Sequence, residues 1–137
     1  MGIVHDVHER QQLIECGAGL RRVRQILASI AGEDCVLSCD RDAIGVAGEF
    51  ALWIETMVAC AIGESYVAAS PLGALVTRPV REPQRPEMPA VLVGVVPGIV
   101  EVREALQVLV KLVESGSSDR VIAVCARLQQ LQNWAER

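Results

Sequence analysis

Leu13, Cys16, Leu20, Val23, Leu27 and Ile30 recur at alternating steps of three and four near the start of the chain. That spacing lays one apolar stripe on a helix, so the pattern predicts a helix from about residue 6 to residue 30. Gly17 and Gly19 interrupt the stripe and predict a kink or a break into two helices. "AGED", 31–34, ends it. The period then changes. "CVLSC", 35–39, reads as a short strand and "DRD", 40–42, as a turn. "GEFALWIETMVACAIG", 48–63, reads as a mostly buried helix in which only Glu49, Glu55 and Thr56 are polar and Gly63 is the stop. Residues 66–80 read as extended, with a break at Ser70-Pro71. "RPVREPQRPEMP", 78–89, lacks apolar periodicity and reads as a polar, partly polyproline connection. "AVLVGVV", 90–96, is a continuous apolar run of strand length, which predicts a central place in a sheet.

Pro97-Gly98 turns the chain into a helix over about 99–115. Val102, Ala105, Leu106, Val108, Leu109, Val110, Leu112 and Val113 cover roughly 200° of its wheel, where a helix packed on one core needs about 100°. Two arrangements account for the surplus. The helix is wedged between the sheet and another helix, or one apolar flank meets another polypeptide. The tail, 119–137, carries Val121, Val124, Leu128, Leu131 and Trp134 at helical spacing. A rival reading makes 121–124 a strand and 126–136 a helix. No internal repeat is visible. These elements predict one α+β domain, a small sheet from 35–39, 66–80 and 90–96 packed by three to four helices. The first stripe either packs on that sheet or forms a seam for a partner helix. In the second case Leu13, Leu20, Val23, Leu27 and Ile30 carry self-association, as a homodimer or larger oligomer.

Composition narrows the function classes. The 137 residues suffice for one core, and 51% are apolar but only 3% aromatic. A net charge of −4 and the lack of aromatics among the arginine runs at Arg21, Arg22, Arg24 and at Arg78, Arg81, Arg85 argue against nucleic acid. Charges within 43–62 and 90–113 argue against a membrane span. The start has no signal-peptide pattern. The five cysteines, mostly in apolar runs, fit a reducing, cytoplasmic compartment. "HDVH", 5–8, and Cys35-x3-Cys39 do not supply the converging ligands of a metal site. No phosphate loop, dinucleotide fingerprint or nucleophile elbow is present. Asp40 and Asp42 straddle the predicted turn and read as solvent-exposed. No catalytic residue, metal or cofactor is expected.

Short motifs in the second half carry a likeness. "SPLGALVTRP", "EMPAVLV" and "GIVEVREALQVLVKLVESG" follow one another, with "AGEDCVLS" upstream. Together they resemble the apical domain of group I chaperonins. The resemblance implies that Leu106 and Leu109 match positions that bind unfolded chains in that family, with Leu72 at a third. The glycine-rich nucleotide loops and the Asp-Gly-Thr-Thr segment of the family's ATPase domain are absent, so no ATP-driven cycle is implied.

The expectation is thus a non-enzymatic, cytoplasmic protein-binding module of chaperone or adapter kind. Its partner is a protein or client polypeptide, bound through Leu72, Leu106, Val108, Leu109, Val110 and Leu112. Two other readings stay open: a small acidic dimeric secretion chaperone, and an enzyme subunit whose site a partner completes.

Overall fold

The computed structural model describes residues 7–69 and 85–137, with side chains for 7–63 and 85–137. Among the described residues every regular element is a helix: α1 (Val7–Ala31), α2 (Ser38–Ala69), α3 (Ile99–Val113) and α4 (Asp119–Glu136). The expected sheet is not formed there, so the α+β reading gives way to a four-helix bundle. α1 packs on α2 and α3, and α4 closes the ring by packing on α3 and α2. Neighbours run antiparallel: Gly98, at the start of α3, meets Ile30 at the end of α1, and Leu109 farther along meets Gly19.

The stripe on α1 is the heart of the core. Leu13, Cys16, Leu20, Val23, Leu27 and Ile30 are all buried. α1 runs unbroken through Gly17 and Gly19. Gly19 marks a close crossing instead, since a Cβ there would collide with Leu109. Glycine's cost within a helix, about 1 kcal/mol, is offset by the approach it allows.

α2 begins well before the predicted helix at 48–63. The predicted strand 35–39 is a turn that ends in the first residues of α2. Val36 is buried there, but no strand ladder forms. The inner face of α2 then continues through Asp40, Ala43, Ile44 and Ala47, all buried. That helical spacing is hidden in the sequence because Asp40 puts a carboxylate at a core position. At the other end α2 passes through Gly63 to Ala69, so 66–69 are helical where extended chain was expected. The remainder of 66–80, the connection over 78–84, Leu72 and His5 lie outside the described residues. Within Ser38–Gly63 an 18-residue window of α2 has a mean hydropathy of 1.5, so by length and composition only the helix is apolar enough to cross a membrane. Its inner side chains, among them Phe50, Ile54 and Val58, are core. Glu55 is held by Arg24 and Arg21 of α1.

α3 answers the question of its own width. Val102, Leu106, Leu109, Val110 and Val113 are buried, and Ala105 and Leu112 pack beside them. Leu109 turns to α1. Arg103, seven residues before Val110 and so on the same side, donates from Nε to the Ala135 carbonyl of α4. Two neighbouring helices thus flank one apolar helix. α4 is a single helix, so the strand alternative at 121–124 falls. Ser118 caps it, its Oγ accepting the Val121 N–H at 3.2 Å. At that same end of the bundle the buried Glu9 accepts the Ser117 N–H at 2.7 Å.

Between α2 and α4, Phe50 and Trp53 meet edge to face with centroids 5.3 Å apart. The Arg127 guanidinium stands 5.3 Å over the Trp53 ring. Its Nε is buried without a hydrogen-bond partner.

Candidate functional site

The predicted central strand 90–96 is not a strand. It crosses the end of the bundle where α1 and α4 finish and α2 and α3 begin. Trp134, near the end of α4, donates from Nε1 to the Ala90 carbonyl at 2.7 Å. The Val93 and Gly94 N–H groups both donate to the Asp40 carboxylate, each at 2.8 Å. Backbone amides along a ladder alternate in direction, so two consecutive amides on one side chain bend the segment away from strand geometry. Asp40 is therefore the opposite of the solvent-exposed acid the sequence suggested: it is 1% exposed and anchors the crossing. Gly94 fits because a Cβ there would lie 3.0 Å from both Asp40 and Leu37. Gly98 has φ of 86°, the left-handed region that favours glycine, and turns the chain into α3.

This tether leaves one row of side chains outside. Val91, Val93 and Val95 are 51%, 77% and 91% exposed, while Val96 is buried and Leu92 half-buried. Leu37 and Met88 are exposed as well. The valine ridge ends at a cleft of about 410 Å³ between the last turns of α1 and the start of α3, lined by Glu33, Pro97, Gly98 and Glu101 among others. A second groove, about 350 Å³, runs outside α1 and α2 over Ile14, Gly17, Val58, Ala59 and Ile62. Salt bridges from Arg21 and Arg24 to Glu55 stand at its edge.

The residues expected to bind a partner are not gathered on one free surface. Leu106, Leu109 and Val110 are core, Leu112 is half-buried, and Val108 is exposed. Leu13, Leu20, Val23, Leu27 and Ile30 are consumed inside the bundle, so a dimer through that seam would require the bundle to open. The exposed ridge was missed because its residues read as core. The available signal was its isolation: Ala90–Val96 is an aliphatic run between Pro89 and Pro97.

Chemically the ridge offers contact and no reactive group. All five cysteines are free. Burial, and secondarily Cys125, pushes the Cys16 thiol up to about 12. Burial and then Glu114 raise Cys125. Both thiols are thereby held protonated at neutral pH, which disfavours them as nucleophiles. Cys35 and Cys39 are exposed. Among the described residues no group of three His, Cys, Asp or Glu side chains is placed to hold a metal ion. No known family, curated protein or solved structure matches the chain.

Proposed function

We propose that the protein is a non-enzymatic, cytoplasmic polypeptide-binding module of chaperone or adapter kind, acting through the valine ridge at the capped end of the bundle. One observation carries the reading: Val91, Val93 and Val95 project from a segment whose backbone is anchored beneath them by Asp40. Each valine left in water forgoes up to about 1.5–3 kcal/mol relative to full burial. The anchor keeps the row in place at the surface, ready to be covered by another chain, with little further ordering to be done on binding. Free thiols, two of them exposed, support the reducing compartment.

The test uses a fluorescently labelled, permanently unfolded client, reduced and carboxymethylated lactalbumin. The expected result is saturable binding to the intact protein. The triple variant Val91→Ser, Val93→Ser, Val95→Ser should lose most of it while unfolding within about 0.5 kcal/mol of the parent, as surface substitutions do. No binding by the parent, or equal binding by the variant, overturns the reading.

A further inference from the structure

Resting on that polypeptide-binding reading, we infer that the valine ridge receives a basic amphipathic polypeptide segment, apolar side chains along the ridge and cations over the acids beside it. The ridge carries no charge from Ala90 to Gly98, so aliphatic contact alone does not choose among a partner chain, a lipid surface and a second copy. The surrounding charges do. Glu33 and Glu101 line the cleft at Pro97 and Gly98, where the ridge ends. Asp34 sits in the turn that leads to Leu37, whose side chain packs at Gly94. All three acids are exposed.

Arg41 and Arg103 at this end are held by carbonyl oxygens and keep their charge, but Glu33, Asp34, Asp42 and Glu101 outnumber them. Arg41 donates to the carbonyl oxygens of Ala31 at 2.9 Å and Glu33 at 3.2 Å, and Arg103 donates to that of Ala135. Arg22 lines the same cleft from α1, two turns before Ser29. An anionic lipid surface would be repelled, and so would a second copy presenting the same end. A basic segment is attracted and brought into register by the acids.

The test compares two labelled helical probes of about 18 residues, or five turns. They share one leucine face and carry either lysine or glutamate on the polar face. The leucine–lysine probe should bind at least about tenfold more tightly than the leucine–glutamate probe, with the gap narrowing as salt rises. Glu33→Lys with Glu101→Lys should close or invert the gap. Val93→Ser with Val95→Ser should weaken both probes. Phosphatidylserine vesicles should not bind. If lactalbumin binds through the valines but the two probes bind alike, the charge inference fails and the polypeptide-binding reading stands. If neither lactalbumin nor either probe binds, both fail. Vesicle binding equal to that of the lysine probe would give the ridge to a membrane and overturn the inference.

Discussion

Ala90–Val96 and Ile99–Val113 are separated by two residues and are both rich in aliphatic side chains, yet they meet opposite surroundings. In α3 the apolar side chains outnumber the polar ones and most find cover, because α1 and α4 close on its two flanks, with Val100 and Val108 left exposed on the outer side. In the crossing segment Val91 is half covered and Val93 and Val95 largely uncovered, because the backbone beneath them is drawn down to Asp40 and the side chains of every second residue are left outside. The difference lies in what the neighbours offer. A helix satisfies its own backbone and is free to bury side chains all round. An unpaired extended segment must first place its amides, and here that fixes which residues face water.

The sharpest way to break this contrast is to put the same charge at both places. Val110 is 7% exposed and Val95 is 91% exposed. Val110→Glu buries a carboxylate without a partner and should cost about 4 kcal/mol or more, enough to threaten the fold. Val95→Glu should stay within about 0.5 kcal/mol of the parent. Urea unfolding followed by far-ultraviolet dichroism measures both. Equal, small losses would mean that Val110 is not in the core and that α3 has a free flank after all.

The second way acts on the anchor. Asp40→Ala removes an acceptor shared by two amides and should cost about 2–3 kcal/mol, given roughly 1.5–3 for a hydrogen bond to a charged group. Asp40→Asn keeps one carbonyl acceptor and should lose less. Hydrogen exchange locates the effect: the Val93 and Gly94 amides should lose protection while the centres of α1 and α3 keep theirs. Unchanged exchange at both amides would show that something other than Asp40 holds the crossing in place.

These two substitutions also show where the sequence was readable. The stripe on α1 and the apolar spread of α3 pointed to the right helices, because a 3.6-residue period survives any tertiary arrangement. The start of α2 was not readable, since Asp40 and the short run at 35–39 mimic a strand and a turn. A buried acid whose partners are amides more than fifty residues away leaves no local trace. The run at 90–96 misled for the same reason: aliphatic composition reports a wish for cover, and only the missing ladder decides whether cover is found. With a sheet in mind, the excess width of α3 had two explanations. With four helices in a ring most of that width is covered within the chain, and the most exposed valines lie in a segment first assigned to the core.

The mildest test carries the contrast into α2 and α1, where mid-helix glycines meet different fates. Gly45 is exposed, and a Cβ there would meet nothing within 4 Å. Gly19 lies under Leu109. Alanine restricts the unfolded chain and suits a helix, so Gly45→Ala should raise stability by about 0.5–1 kcal/mol. At Gly19 the same change gains that propensity but forces Leu109, itself buried against its neighbours, to move. Overpacking of this kind costs about 1–3 kcal/mol, so the net effect should be a loss. Trimming Leu109 to Ala in the Gly19→Ala background should then cost less than it does alone, because the added methyl occupies part of the space the leucine vacates. Denaturant midpoints for the four proteins (parent, two singles and the double) supply that cycle. Strict additivity would mean that Gly19 and Leu109 do not share one site, and the close crossing of α1 and α3 would have to be abandoned.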